Sequence, residues 1–434
     1  MTSATLEQEI AARRQRPGEA AEHWRAAALG DIAAAGLPTP RRENWRYTNL
    51  QPLASSPFDW DPPPPDRAAI SAAAALLESA ALGSAARVVL VDGHPVAALS
   101  APTNPAGIEL GSLRDHWERF EERHSARLAG TEHPLAALNT ALLRDGVWLR
   151  VPDDVQSEQP IHVVAIASGR AGLAAQPRLV IELGRGAAIT VVQHFLDDAG
   201  DSAGWINGVT QIDLAPHAKL SLYRLQQHGA TQTHTALLSA DVAAGAALTV
   251  GYIDLGGRLI RNDVAVRLRE PGASAEIFGV FLAAHGQHVD EHTRIDHLAP
   301  ETRSDETFRG IIGRRGRGVF NGKVVVHRDA QRIDARQSSD NLLLGDQAEI
   351  DTKPELEIYA DDVKCSHGST VGELDEQQLF YLRSRGVAEG QARELLTQAF
   401  AASVLERIDP ASIREHAASR VAARLRWLTQ EQPS

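Results

Sequence analysis

The chain has 434 residues, 44 basic against 56 acidic side chains, a net charge of −12, one cysteine, one methionine and 17 histidines. A lone Cys365 excludes an internal disulfide and a self-contained iron–sulfur or zinc-thiolate centre, and it points to a reducing, cytoplasmic setting. The acidic balance excludes a general nucleic-acid binder, which needs a basic face to displace phosphate counterions, and at about 150 residues per domain the length predicts two or three domains.

The first twenty residues are polar and charged and lack the apolar run of a secretory signal. From Ser3 to Gly36 the spacing predicts helix. Leu6 and Ile10 are four apart, and Trp24, Ala28 and Ile32 resume the period after a break at Pro17-Gly18. Gly36-Leu37-Pro38 is a stop signal, a residue tolerant of left-handed geometry followed by one that cannot continue a helix. Pro62 to Pro65 predicts a polyproline-like linker. An Ala-rich helix follows within residues 68–86. Glu78 and the flanking Asp66 and Arg87 make this stretch too weakly apolar for a membrane span of about 20 residues. A soluble protein with no membrane partner is expected. A short strand at 88–91, turned by Asp92-Gly93, and a polar helix around 113–128 complete this zone.

From about Val147 to Tyr359 short β-branched runs recur, at 163–166, 179–181, 189–192, 220–223 and 248–250. A local pattern repeats with them: a turn residue, Ala, any residue, then an apolar strand start. It occurs at Gly186-Ala187, His217-Ala218, Gly245-Ala246 and Gln347-Ala348, with a looser copy at Gly272-Ala273. Alanines 187, 218, 246 and 273 are 27 to 31 residues apart, a period that marks a solenoid. Strands without intervening helices exclude a βαβ sheet. The predicted fold is mainly β: a right-handed parallel β-helix (β-solenoid) flanked by helical domains that cover its ends. A β-sandwich or double cupin barrel is the second choice.

From Asp375 the chain is again helical. Asp375 caps a helix with Gln378 three residues later, and Gly386 ends it. A second helix runs over about 391–408. Asp409-Pro410 starts a third, in which Ile413, Ala417, Val421 and Leu425 repeat every four residues. The expected division is a mostly helical domain at 1–146, a β-helix core at 147–366 and a helical domain at 367–434.

Two segments carry candidate chemistry. In the histidine-rich run 285–297, His288, Asp290 and His292 alternate onto one strand face, with His297 on the other. Two imidazoles and a carboxylate suit zinc or iron, so a metal-dependent solenoid or cupin-like enzyme is one reading; a solvated face is the bland one. In the second segment, Cys365 and His367 share a side if the chain is extended, about 6.6 to 7 Å apart. Cys365 alone reads as a small buried hydrophobe. The glycines of 310–323 are not a phosphate loop, because Val324 follows Lys323 where Ser or Thr must hold magnesium. No G-x-S-x-G, C-x-x-C or H-E-x-x-H occurs. A secreted polysaccharide lyase, a third solenoid class, conflicts with the absent export signal.

Longer blocks are more specific. They are His297-Leu298-Ala299-Pro300 with Arg303-Ser304, the segment from Gly318 to Lys323, Asp334-Ala335-Arg336-Gln337 and Asn341 to Leu344. Ile350 to Ile358, Asp361 to Gly368 and Leu379 to Gly386 continue them in order. Together they resemble the SufB/SufD family of iron–sulfur assembly scaffolds. The segment from Arg42 to Leu50 and the single cysteine are similar to the SufD branch. The resemblance implies a non-enzymatic subunit that pairs with SufB through the β-helix and binds the SufC ATPase through its C-terminal helices. It also implies that His367, assisted by Cys365, stands where a transient iron–sulfur cluster or iron is shared with SufB, none being held stably by the isolated chain. Phe380, Tyr381, Leu382, Arg383 and Arg385 are the expected SufC contacts. Homodimerisation of the chain alone through the SufB surface is compatible with the paralogy.

Overall fold

The computed structural model of the chain describes residues 4–15, 22–80, 82, 86–102, 107–128, 132–197 and 203–430. Its strands begin with β1 (Ala86–Val91), β2 (His94–Pro95), β3 (Glu109–Ser112), β4 (Val147–Val151), β5 (Ile161–Ala167) and β6 (Ala174–Ala175). Next come β7 (Arg178–Leu183), β8 (Ala188–Asp197), β9 (Trp205–Leu214), β10 (Lys219–Gln227), β11 (Thr233–Val242), β12 (Ala247–Asp254) and β13 (Leu259–Leu268). The last are β14 (Ser274–Ala283), β15 (His288–His297), β16 (Arg303–Ile312), β17 (Arg317–Val326), β18 (Ile333–Leu343), β19 (Glu349–Ile358) and β20 (Val363–Gly372). From β7 on, successive strands fall alternately into two sheets. Sheet A runs β2-β1-β5-β8-β10-β12-β14-β16-β18-β20, and sheet B runs β19-β17-β15-β13-β11-β9-β7-β4-β3. All pairings from β4 and β5 onward are parallel. This is the expected β-solenoid, and the parallel ladders exclude a sandwich or cupin barrel, which are antiparallel.

The repeated turn pattern is the solenoid corner. Gly186, His217, Gly245, Gly272 and Gln347 all take positive φ, between 58° and 75°; the first four turn the chain from sheet B into sheet A, and Gln347 turns it from sheet A into sheet B. The alanine behind four of these corners is fully buried. Inward rows such as Leu220, Leu248 and Ala275, or Leu222, Val250 and Ile277, stack in register through the interior. No strand carries a complete core of its own. Each turn buries its apolar row only when the next turn lies on it, at about 1.5–3 kcal/mol per fully buried Val, Leu or Ile.

The helices are α1 (Leu6–Arg14), α2 (His23–Ala35), α3 (Gln51–Ser55), α4 (Arg67–Ser79), α5 (Trp117–Arg123), α6 (Pro134–Leu142), α7 (Glu376–Ser384), α8 (Glu389–Leu405) and α9 (Ala411–Gln430). The stop at Gly36, with φ of 60°, is as expected; the break at Pro17-Gly18 lies outside the described residues. The polar helix at 113–128 is instead a 3-10 turn, α5 and a second 3-10 turn. Among the described residues no helix is long and apolar enough to cross a membrane.

Where the helices lie corrects an expectation. Among the described residues the helices lie on the outer faces of the sheets rather than over both ends of the solenoid. Ala401, Val404, Ile413, Ala417, Val421 and Leu425 of α8 and α9 pack on the outer face of sheet A, over Leu225, Ile253 and Val280. These three form one outward row. An apolar stripe on a sheet's outer face needs a cover, and the period-four face of α9 supplies it. Helices α1, α2 and α6 pack on the outer face of sheet B around Trp205, and α4 covers β1 and β5. The expected boundaries also move. β1, β2 and β3 belong to the sheets, and the solenoid runs past residue 366 because β20 pairs with β18 as far as Leu342 and Gly372.

Candidate functional site

The uncovered end of the solenoid is built from β19 and β20. Each is ten residues long and hydrogen-bonded to an earlier strand on one side only. Pro354 in mid-β19 fits an edge strand, since proline removes a ladder donor. Inward-facing Val363, Cys365, His367, Ser369 and Val371 of β20 continue the rows of β18, with Cys365 beside Ala335 and His367 beside Gln337. Among the described residues no further turn stacks on them, so His367 and Ser369 are exposed and Cys365 half-buried. The expected common side of Cys365 and His367 is therefore present. Ser369 closes toward the other sheet, its Oγ donating to Thr352 Oγ1 at 2.8 Å.

Cys365 packs against an apolar group that includes Ala335, Leu356 and Val363. Burial, then the Asp334 carboxylate, pushes its thiol up, away from the thiolate a nucleophile needs. His367 is the solvent-facing donor of this end.

Behind His367 the interior turns polar. Gln337 donates its Nε2–H to Glu306 Oε2 at 2.7 Å, and burial raises the Glu306 carboxyl to about 7. Deeper, Asn262 Nδ2 reaches Glu291 Oε1 at 2.9 Å and Asp254 Oδ2 at 3.3 Å. Burial lifts Asp254 to about 6 and, with Asp254 beside it, lifts Glu291 as well. The motif reading missed Glu306 and Gln337. Their signal was periodicity: 306, 337 and 367 are one solenoid turn apart.

Imidazoles are buried neutral elsewhere. Burial holds His162 and His228 at about 3 and His297 at about 4, and it pushes His194 and His234 well down. An unfolded chain takes protons on these five below about pH 6.5, whereas the native chain does not. Glu306, Glu291 and Asp254 work oppositely, binding protons when folded. The excess of protons on the unfolded state then grows to about two by pH 5, so stability is expected to fall by about 3 kcal/mol in all between pH 6.5 and 5. Urea midpoints across that window test it; a flat profile would refute the burial assignments.

The expected ATPase-contact helix α7 starts at Asp375, whose carboxylate accepts from the Gln377 and Gln378 backbone N–H groups. Phe380 and Tyr381 are 74 % and 57 % exposed, while Leu382 is half-buried beside buried Leu379. The Arg385 guanidinium lies 5.2 Å from the Tyr381 ring centroid, and Arg383 pairs with Glu389 at 3.5 Å. Leu395 of α8 is also exposed, as are Ile358, Tyr359 and Val371 at the open end.

His288, Asp290 and His292 do share the outer face of β15, but they are engaged otherwise than a metal set. Asp290 is fully buried, pairs with Arg261 at 2.6 Å and accepts from Thr48, while His292 lies 3.1 Å away. His288 Nε2 meets Thr48 Oγ1 at 2.8 Å. Arg261 also donates to Asn44 O at 3.0 Å and lies over the Trp45 ring at 4.1 Å. The cluster fastens segment 44–48 to the solenoid, and the guanidinium already supplies the positive charge a cation would bring. Another group, His124, Glu182 and Asp213, has donor atoms within 4.8 Å of one another. Its carboxylates are held by Arg119 and Arg127 at 2.5 Å each, which makes it an ion-pair network.

Comparison with known proteins places the chain in a family. The family model described as "SUF system FeS cluster assembly, SufBD core domain" matches residues 165–400, and "SufBD protein N-terminal region" matches residues 7–163. The chain is 31% identical over 400 residues to the iron–sulfur cluster assembly protein SufD of Escherichia coli, covering 92% of this chain and 91% of that one. It is 28% identical to an iron–sulfur cluster assembly SufBD family protein of Synechocystis, over 88% and 86% of the two chains. It is 26% identical to the iron–sulfur cluster assembly protein SufB of Bacillus subtilis, over 67% and 62%. The chain belongs to the SufB/SufD family of iron–sulfur cluster assembly proteins and is of the SufD type.

Proposed function

We propose that this chain is the non-catalytic SufD-type subunit of a cytoplasmic iron–sulfur assembly complex. It pairs with a SufB-type subunit through its last solenoid turn and holds a SufC-type ATPase on its C-terminal helices. A nascent cluster, as cargo, meets His367 at the subunit interface. The observation that carries the reading is the open end: two ten-residue strand edges with His367 in an uncovered inward row. Unpaired edges template strand addition, and neutral imidazole is a good iron ligand. With one cysteine, the chain lacks the thiols to receive sulfur and build a cluster alone.

The test is reconstitution with SufB- and SufC-type proteins. Recovery of a three-component complex is expected, and a chain that binds neither sinks the reading. Sedimentation of the chain alone shows whether the same surface pairs two copies. Within the complex, Phe380→Ala combined with Tyr381→Ala is expected to weaken SufC-type binding by about 2–4 kcal/mol, the range of exposed aromatic anchors. The thermal midpoint should not move. Unchanged affinity in calorimetry assigns the contact to another surface.

A further inference from the structure

Glu306, Gln337 and His367 occupy one inward row on β16, β18 and β20. Adjacent strands stand about 4.8 Å apart, so each side chain of the row is within reach of the next. Gln337 is buried, and its Nε2–H points at Glu306 Oε2. Above about pH 7, where the Glu306 carboxyl is ionised, it orients the amide, because only the nitrogen end can donate to a carboxylate. Gln337 Oε1 is left buried with no hydrogen-bond partner, one strand below His367. An unpaired buried acceptor is costly, and packing alone would fill this position with an aliphatic side chain. Room for the amide is also built in: a methyl on Gly322 of β17 would overlap Gln337 Nε2.

We propose that Gln337, oriented by Glu306 in the space left by Gly322, is a positioning residue for His367. A turn of the exposed His367 side chain brings one imidazole N–H onto this Oε1 and leaves the other ring nitrogen facing the open end with its lone pair free. A carbonyl acceptor behind an imidazole fixes which nitrogen carries the proton and which way the ring points, as it does behind metal-ligating histidines. The cargo side of this inference rests on the reading of His367 as a cluster or iron ligand; the hydrogen bond does not.

The experiment uses the full chain with 15N-labelled histidine, the His367 signals being those lost in His367→Ala. One tautomer is expected to dominate in the native chain. Gln337→Met, which keeps the volume and removes the acceptor, should relax it to a mixture. In the reconstituted complex the same variant should slow cluster build-up about tenfold, the lower end of outer-shell effects. The exchange Glu306→Gln with Gln337→Glu rebuilds the donor–acceptor line with its ends swapped and should restore both readouts. A His367 tautomer unmoved by Gln337→Met, or unrestored by the exchange in a folded chain, overturns the proposal. If the tautomer shifts while build-up ignores both Gln337→Met and His367→Ala, the positioning stands and the ligand reading falls.

Discussion

Asp290→Ala is expected to destabilise the chain by about 3–5 kcal/mol, the cost of leaving a buried charge without its partner. Asp290 is fully buried and sits between Arg261, Thr48 and His292. Arg261 is itself 1 % exposed, and it would keep only Asp263, at 2.7 Å, as a carboxylate partner. The loss also reaches the N-terminal segment. Arg261 bridges Asn44 and Trp45, so the segment should loosen and its Arg41, Arg42 and Arg46 peptide bonds become cleavable by trypsin. The sign of the pH effect follows. Burial alone would push the Asp290 carboxyl up, yet Arg261 and then His292 hold it far below the usual carboxylate range. Its contribution is present above about pH 3.9 and is lost only in stronger acid. Urea unfolding at pH 7 measures the main effect. A change under 1 kcal/mol would mean that the segment is held elsewhere, for instance by Glu43 on Lys353.

His367→Ala is expected to leave stability within about 0.5 kcal/mol, because an exposed side chain with no packing role is removed. Cluster build-up on the reconstituted complex should fall at least tenfold, since changes in the outer shell of a metal site alone reach that size. Cys365→Ser should act weakly by comparison, because the thiol packs among apolar side chains and is held protonated. A strong Cys365→Ser effect beside a silent His367→Ala would exchange their roles. Both variants are read against complex assembly, which neither should alter.

Much of the fold was legible because it is encoded locally. The corner residues that open each repeat needed left-handed geometry, and glycine, or a polar residue followed by alanine, announced it. The cap at Asp375 and the four-residue period of α9 are likewise properties of short windows. The alternation that puts His288, Asp290 and His292 on one face is legible in the sequence, but their partners are not. They are Arg261, one turn earlier, and Thr48, 242 residues away. The polar run after Cys365 looked like the end of the β zone. It is a strand because β18 lies beside it, which no local pattern states.

By itself the sequence determined the repeating unit, the single thiol that excludes an internal disulfide, and the blocks that carry the family. Tertiary structure decided the rest. The C-terminal helices lie on the side of sheet A, the last turn is left open, and Glu306 and Gln337 line up behind His367. The physical reason is that a corner or a cap is settled by neighbours along the chain. Burial, a free edge and a hydrogen-bond partner exist only once turns about 30 residues apart have stacked.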